Sequence, residues 1–321
     1  GSYSHPFNLP DGGNDFNLAE QWLPFRDTVT FADAVCPIRH ISDRNLAPKL
    51  ITTPEFSGNS NYGYHLDAGK FSVFLKKHCI EKLGVTYIQD HVIKINSAEN
   101  GDITSLSTTM NGDLSADLFI DCTGFTSLLL GEHYRIPLKE ERRVLFNDSA
   151  LAVQIPYQDA DAPIASCTLS TAQDCGWIWD IGLPTRRGVG HVFSSAHTSD
   201  EQVLKNLQAY LEPAIGKVAA EKIMPRKLTF NPGYRQELWH KTCVGVGIAA
   251  GFIEPLEATA LVLIELSAQM IAEQLPATRG VMDTVAKRFN RKMFDHWQRI
   301  IEFLKLHYVV SERQDTEYWR D

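Results

Sequence analysis

The amino-acid sequence predicts a mixed α/β fold in which a layer of antiparallel sheet interrupts an α/β region and helices close the chain. Residues 85–124 alternate strand-like runs with Asn-Gly turns at 100–101 and 111–112, dipeptides that favour tight hairpins. Residues 149–230 contain further strand-like stretches around one helix, and residues 281–308 have the spacing of an amphipathic helix.

Composition limits the class of protein and its partners. The 321 residues are 44% hydrophobic and carry a formal net charge of −8, as in a globular protein of one large domain or two smaller ones. This charge disfavours nucleic acid and anionic membrane as partners. The longest apolar run, residues 258–275, contains two glutamates, so no transmembrane helix is predicted. We predict no signal peptide, and the abrupt N-terminus leads us to expect that upstream sequence is missing.

The six cysteines are scattered, without a CxxC pair. This pattern favours reduced thiols in a cytoplasmic protein over a disulfide framework, and we assign no metal site.

In the first half of the chain, one or two short helices are expected around residues 17–50. A longer helix is expected over 67–84, with Gly84 as its C-terminal cap. Residues 117–124, DLFIDCTG, are almost wholly apolar until Asp121 and predict a buried strand that ends at Gly124. The closing helix carries one apolar stripe, made of Val285, Phe289, Met293, Trp297, Ile300 and Leu304.

Residues 242–275 predict a buried strand, a glycine-rich turn and a long helix. GVGIAA at 245–250 matches a dinucleotide-binding pattern only loosely, because a helix does not follow it directly. We expect that helix to begin at EPLEATA, with Pro255 in its first position and Glu257 in its first turn. Its free N–H groups would favour an anion. Alternatively, Glu257 only complements the helix dipole.

Residues 175–184 read CGWIWDIGLP. In a strand, Trp177 and Trp179 would stand side by side on one face. Such a pair is compatible with the aromatic core of a sheet or with the wall of a site for a flat ligand, and we favour the wall.

Together, GWIWDIGLP and AAGFIEPLEATA resemble the flavin-dependent tryptophan halogenase family. The resemblance extends over nearly the whole chain in the family's order, through SHPF, NYGYHLDAGKFSVFL, ADLFIDCTGF, AVQIPY, GHVFSS and HYVVSERQDTEYW. It implies an FAD-binding fold like that of aromatic hydroxylases, whose N-terminal nucleotide-binding unit is missing here. It also implies four regions: an FAD-binding remainder (1–148), the antiparallel substrate layer (149–230), a flavin and halide segment (231–275) and a helical substrate-closing segment (276–321).

The resemblance implies FAD-dependent chlorination or bromination of an indole-like aromatic compound, such as tryptophan, indole or an indole derivative. A separate flavin reductase supplies reduced FAD, chloride or bromide is the co-substrate, and a flavin peroxide yields hypohalous acid. A homodimer is left open.

The family's functional positions carry over residue by residue. Glu257 matches the catalytic glutamate, and Thr259 and Ala260 match the pair whose backbone amides hold the halide. Trp177 and Trp179 match a signature that separates flavin from substrate. Positions lining FAD are matched by Gly124, Gly247, Gly251 and Phe252. Substrate contacts are matched by His5, Phe7, Tyr308, Tyr318 and Trp319.

Several positions depart from the family pattern. The chain contains neither the nucleotide-binding glycine loop nor an assignable catalytic lysine. Gly182 replaces the proline of the Trp signature, Ala258 replaces a serine and Ala260 a glycine. Gln314 stands where tryptophan-specific members carry a glutamate for the substrate ammonium, which makes an uncharged indole or a larger indolic compound the more plausible substrate.

Two alternatives remain at this stage. One is a flavin aromatic monooxygenase of the same broad fold, which would show no halide dependence. The other is a non-catalytic fragment that binds an aromatic ligand or a partner, which would follow from the missing lysine and glycine loop.

Overall fold

The computed structural model describes residues 4–6, 10, 12–58, 60–159 and 161–321. The α-helices in these ranges are α1 Leu18–Trp22, α2 Phe31–Val35, α3 Ile38–Ser42, α4 Ala68–Glu81, α5 Asp200–Ile215, α6 Lys217–Ala220, α7 Thr259–Glu273, α8 Arg279–Val309 and α9 Glu317–Arg320. The strands are β1 Val92–Ser97, β2 Ile103–Thr108, β3 Gly112–Ser115, β4 Phe119–Asp121, β5 Leu138–Glu140, β6 Ser149–Pro156, β7 Leu169–Gln173, β8 Gly176–Gly182, β9 Arg186–Phe193, β10 Arg226–Thr229, β11 Gly233–Arg235, β12 Trp239–His240, β13 Cys243–Gly245 and β14 Gly251–Phe252. Mixed helices and antiparallel sheets confirm the predicted fold class.

Helix α4 and the β1–β3 strands form where local sequence signals predicted them. The Asp67 side chain caps α4 by accepting the Lys70 backbone N–H, and Gly84 ends the helical segment with φ +69°. Strands β1, β2 and β3 form an antiparallel meander, and Gly101 and Gly112 have the left-handed φ that its turns require. The helical spacing of Phe71, Phe74, Leu75 and Cys79 predicts an apolar stripe on α4, but Phe71, Phe74 and Leu75 are exposed, with Phe74 61% accessible. The spacing of that stripe therefore predicted the helix without predicting its burial.

A five-stranded antiparallel sheet, in the order β10-β6-β9-β8-β7, forms the middle of the chain. Helix α5 covers one face, where Val203, Leu207 and Leu211 are fully buried against Ile178 and Val189. We call this sheet and α5 the sheet layer. The antiparallel sheet predicted over 149–230 is present, whereas the four region boundaries stay predictions.

The other face of the sheet layer packs toward α7 and α8. Trp177 belongs to the same apolar core as Met270 of α7 and Met293 and Trp297 of α8. Helix α8 buries Phe289, Met293, Trp297 and Leu304, as its stripe predicted, while Val285 and Ile300 are half-buried against the same core. Among the described residues, none of the helices is both long and apolar enough to cross a membrane.

Candidate functional site

Two parallel strands bring the predicted flavin-lining glycines together. Strand β4 pairs with β13, with Asp121 opposite Gly245, so the turns that follow both strands lie at the same sheet edge. Gly124 and Gly247 begin short 3-10 turns there, with φ values of +68° and +67° that favour glycine. A Cβ at Gly124 would meet no atom within 4 Å. The carboxyl ends of parallel strands are where open α/β sheets bind ligands.

The buried Asp121 carboxylate shapes the turn after β4. It accepts N–H groups from Leu129 at 2.8 Å and Leu130 at 2.9 Å, and the hydroxyl of Thr123 at 2.6 Å. The aspartate in the IDCTG stretch therefore has a structural explanation, because it satisfies donors that the tight turn leaves unpaired.

Phe252 and Gly251 lie beside these turns for different reasons. The ring of Phe252 meets that of Phe125 edge to face, with centroids 5.3 Å apart. Gly251 is paired with Tyr234 of β11, and a Cβ there would come within 2.5 Å of the Gly233 carbonyl. Close backbone packing therefore accounts for Gly251, while Gly124, Gly247 and Phe252 could hold a flat cofactor.

The prediction that α7 starts at EPLEATA was wrong. Pro255 precedes a short 3-10 turn over Leu256–Ala258, and α7 begins only at Thr259. Glu257 and Ala258 have left-handed φ values of 63° and 53°, which a right-handed helix cannot include. Glu257 therefore lies in a strained turn ahead of the helix and not in its first turn. Strain at non-glycine residues is concentrated at functional sites.

Two histidines contact the Glu257 carboxylate. His5 Nε2 lies 3.4 Å from one oxygen and His307 Nε2 lies 3.3 Å from the other. The hydrogen bond to Glu257 raises the pKa of His307, which favours the protonated, ion-paired form. The backbone carbonyl of Phe303 lies 2.9 Å from Nδ1 of His307 and orients its ring. His307, which the sequence analysis did not single out, is therefore part of the site.

The donor atoms of these three side chains lie within 4.8 Å of one another, close enough for one metal ion. An ion pair explains the same contacts, and His5 is 41% exposed on its side chain. We therefore interpret the cluster as a carboxylate held between two imidazoles.

Thr259 and Ala260 are the first two residues of α7. Helix geometry leaves the N–H groups of a first turn without intrahelical acceptors. The Thr259 hydroxyl is buried and has no hydrogen-bond partner within the described ranges. Unpaired donors at a helix N-terminus, two residues from Glu257, favour a small anion.

Trp177 and Trp179 stand on one face of β8, with ring centroids 6.2 Å apart. Trp177 is 5% exposed and belongs to the core, and Trp179 is half-buried against it. Trp179 covers Gly190 so closely that a Cβ there would lie 2.1 Å from its ring. The pair therefore belongs to the apolar core, and its role as the wall of a site stays a prediction.

A second glutamate, missed by the sequence analysis, connects these parts. Glu254 is 1% exposed, and its Oε2 accepts hydrogen bonds from Trp177 Nε1 at 2.8 Å, Asn147 Nδ2 at 2.7 Å and the Tyr308 hydroxyl at 2.7 Å. Burial raises the pKa of Glu254. The only sequence signal was its place in the same EPLE motif as Glu257.

The predicted substrate-closing residues form one aromatic cluster. Tyr308 lies 5.9 Å from Trp319 and 6.2 Å from Tyr318 between ring centroids. The hydroxyl of Tyr318 donates to Asn147 Oδ1 at 3.2 Å, and Trp319 Nε1 donates to the Gln173 carbonyl at 2.8 Å. The cluster is thus fixed to the sheet layer. Phe7 lies outside the described residues.

Gln314 is exposed in the loop before α9, and its backbone carbonyl accepts a hydrogen bond from Arg320. The carboxylate of the neighbouring Asp315 is paired with Arg313. Arg313 also lies over the Trp319 ring, 4.8 Å from its centroid.

Glycine turns at the ends of two parallel strands, a pair of indoles on the sheet layer and a carboxylate turn beside a helix N-terminus are compatible with a flavin-binding fold. The family model described as tryptophan halogenase matches residues 1–321, and the chain belongs to this family. The resemblance drawn from its motifs is thereby confirmed.

Individual relatives agree with this assignment. The chain is 30% identical over 340 residues to tryptophan 6-halogenase SttH of Streptomyces toxytricini, covering 99% of this chain and 64% of that protein. It is 29% identical over 326 residues to tryptophan 7-halogenase RebH of Lentzea aerocolonigenes, covering 99% and 59%. A solved tryptophan halogenase from Shewanella frigidimarina superposes with a TM-score of 0.96 at 55% identity, covering 99% of this chain and 60% of the other. The chain thus spans about three fifths of the length of the proteins it matches.

Proposed function

We propose that this chain is the halide- and substrate-handling part of an FAD-dependent halogenase that chlorinates or brominates an indole-like aromatic compound. The observation that carries the proposal is the Glu257 turn: a strained carboxylate between two histidines, two residues before a helix N-terminus. Family membership and the similarity to two named tryptophan halogenases support it.

The turns at Gly124 and Gly247 would line the flavin ring. Both turns have left-handed backbone, a Cβ at Gly124 would meet no atom within 4 Å while one at Gly247 would lie 3.5 Å from Ile264, and Phe252 offers an aromatic edge nearby. Reduced flavin, when bound, would supply two electrons that activate oxygen, and the activated oxygen would oxidise halide to hypohalous acid with loss of water. We assign to a flavin reductase the role of providing that reduced flavin.

Thr259 and Ala260 would hold the halide. Their backbone N–H groups belong to the first turn of α7, and the unpartnered Thr259 hydroxyl adds a donor. Chloride and bromide are both spherical anions that such donors can bind.

Glu257 would accept the proton that the aromatic ring loses. A C–halogen bond forms from the ring's π electrons as the O–halogen bond of hypohalous acid breaks. Hydroxide leaves, the displaced ring proton passes to the Glu257 carboxylate, and the same proton then converts hydroxide into water and restores the carboxylate. His5 and His307 orient that carboxylate by contacting both of its oxygens.

Trp177 and Trp179 would keep substrate away from the flavin. Trp177 is rigid because Glu254 holds its indole N–H, and Trp179 packs beside it. The aromatic cluster of Tyr308, Tyr318 and Trp319 would close the substrate side, with His5 and Phe7 as further contacts.

The substrate we propose is an uncharged indole or a larger indolic compound. An amide at Gln314 cannot form an ion pair with an amino acid's ammonium group, and the carboxylate of Asp315 is occupied by Arg313.

Two measurements test the proposal. The experiment uses the protein encoded by the whole reading frame that contains these residues, which we call the full reading-frame product. It is supplied with a flavin reductase, oxygen and either chloride or bromide. Mass spectrometry should detect halogenated indole, and omission of halide should abolish it. Halide-independent hydroxylation would instead support a flavin aromatic monooxygenase.

FAD fluorescence is then titrated with the full reading-frame product and with the 321 residues alone. We expect the shorter chain to bind weakly, because the family's nucleotide-binding glycine loop, which holds the pyrophosphate at a helix N-terminus, has no equivalent in these 321 residues. Tight binding by the shorter chain would contradict this expectation.

A further inference from the structure

We propose that Glu254 is a positioning residue. It fixes the positions of the Glu257 turn, the Trp177 indole and the aromatic cluster of Tyr308, Tyr318 and Trp319 relative to one another. This proposal rests on the proposed function, because it assigns Glu254 a part in delivering the oxidant to the substrate. Glu254 is not placed in contact with substrate or cofactor.

The first argument is the convergence of donors. Three side chains from three parts of the chain donate to the same oxygen, Oε2: Trp177 from β8, Tyr308 from α8 and Asn147 from the segment before β6. Tyr308 contributes a stable donor because burial raises the pKa of its phenol. One carboxyl group therefore fixes the positions of three separate elements.

The second argument is the network beyond these donors. Asn147 also accepts a hydrogen bond from the Tyr318 hydroxyl, which links Glu254 to α9. Trp177 and the aromatic cluster are consequently both held through Glu254, although they are far apart in sequence.

The third argument is backbone strain. Glu257 and Ala258 have left-handed φ values, a conformation that persists only when the surrounding structure holds it. On the C-terminal side the turn is held by α7, which starts at Thr259. On the N-terminal side it is held by the buried side chains of Glu254 and Leu256.

The fourth argument is that folding alone does not explain this group. Glu254 is 1% exposed, its three hydrogen-bond donors are neutral groups, and its second oxygen, Oε1, has no hydrogen-bond partner in the described part of the chain. Burying such a group is unfavourable, whereas an apolar side chain of the same shape would fill the space. Buried polar groups kept under these conditions serve to specify geometry.

The test uses Glu254→Met, which keeps the length of the side chain and removes the acceptor, and Glu254→Gln, whose amide oxygen can still accept the three donors. Both are made in the full reading-frame product. Halogenated indole is measured together with hypohalous acid captured by a small nucleophilic trap. We expect Glu254→Met to lower halogenated product at least tenfold while trapped hypohalous acid stays within twofold of wild type. Glu254→Gln should restore product to within threefold.

Tyr308→Phe is a milder variant for the case in which Glu254→Met does not fold. It keeps the ring and removes one donor, so product should fall about threefold with trapped hypohalous acid unchanged. The matched control is Tyr210→Phe, which removes another half-buried phenol that donates to a carboxylate, Asp180, at 3.0 Å in the sheet layer. The control should leave the ratio of product to hypohalous acid unchanged.

Hydrogen exchange of residues 254–260 gives a readout that does not need activity. Glu254→Met, or Tyr308→Phe in its place, should lose protection there while its melting temperature and the protection of the sheet layer stay near wild type. Unchanged protection at 254–260 would overturn the proposal, and so would parallel loss of product and hypohalous acid. If the wild-type protein makes neither, the proposed function fails, and the exchange measurement still decides whether Glu254 holds the turn.

Discussion

The sheet layer and the Glu257 turn treat buried charge and backbone in opposite ways. In the sheet layer, the buried Asp180 is paired with Arg187 and accepts the Tyr210 hydroxyl, and the α5 stripe is fully buried. Around the Glu257 turn, a buried glutamate has only neutral donors and two consecutive non-glycine residues are left-handed.

This difference shows where the molecule gives up stability. A sequence folds best when local conformation, packing and pairing agree, as they do for the Asp180 pair and the α5 stripe. Four departures from that agreement lie together within residues 254–260: the left-handed Glu257 and Ala258, and the unpartnered Glu254 Oε1 and Thr259 hydroxyl. We interpret this grouping as geometry retained for chemistry.

The substitution Glu257→Gln should have the largest effect on activity. Halogenated product should fall by a factor of roughly 10²–10⁴, the range for removing a positioned acid–base group. The melting temperature should barely change, because a partly exposed ion pair contributes only about 0–1 kcal/mol. Mass spectrometry of product and calorimetry of unfolding check both.

The counterpart in the sheet layer is Asp180→Asn. Breaking that buried pair should cost about 3–5 kcal/mol of stability while the folded fraction stays active. If Glu257→Gln destabilises the protein as much as Asp180→Asn, or keeps product within a few-fold of wild type, Glu257 is structural and its catalytic assignment must be withdrawn.

How far the sequence predicts the molecule also differs between the two regions. Alternation, Asn-Gly turns and helical stripes predicted the sheet, the meander and α8, because each depends on neighbours within a few residues. The start of α7 was mispredicted, since Pro255 and Glu257 suit a first helical turn and nothing local reveals two left-handed residues. Glu254 and His307 escaped notice because their partners, such as Trp177 and Glu257, are distant in sequence.

A smaller effect is expected from acid acting on His191 of β9. This residue is fully buried, and desolvation lowers its pKa from 6.5 to about 4. Between those values the unfolded chain binds a proton that the folded chain does not, so stability should fall as the pH drops from 6.5 toward 4. At pH 4.5 the loss attributable to His191 should be about 2–3 kcal/mol.

The loss of stability caused by His191 is measured by urea unfolding of wild type and His191→Leu at pH 7 and pH 4.5. The variant should lose less stability on acidification, whereas the exposed His91→Gln control should follow wild type. If all three proteins lose the same unfolding free energy on acidification, protonation of the buried His191 does not destabilise the sheet layer, and the contrast with the Glu257 turn is weakened.

Substrate choice should respond to Gln314→Glu. A new carboxylate could form a charge-assisted hydrogen bond with an ammonium group, worth roughly 1.5–3 kcal/mol. Competition between tryptophan and indole in the full reading-frame product should therefore shift toward tryptophan by roughly 10- to 100-fold. Gln236→Glu, outside the closing segment, serves as the control. A wild-type preference for tryptophan would mean that another residue supplies the carboxylate.

The smallest effect sharpens the comparison most directly, because the same substitution should have opposite signs in the two regions. Ala258→Gly relieves a left-handed conformation that costs an L-residue about 1–2 kcal/mol, against about 0.5–1 kcal/mol for the added freedom of the unfolded chain. The net result should be a gain of about 0.5–1 kcal/mol. Ala152→Gly, in β6 between β9 and β10, should instead lose about 0.5–1 kcal/mol.

Urea unfolding of both variants measures the two signs. Halogenated product should also fall in Ala258→Gly, because glycine lets the Glu257 carboxylate leave its position. Destabilisation by both substitutions would mean that the turn is unstrained, and the argument that strain there is retained for function would fail.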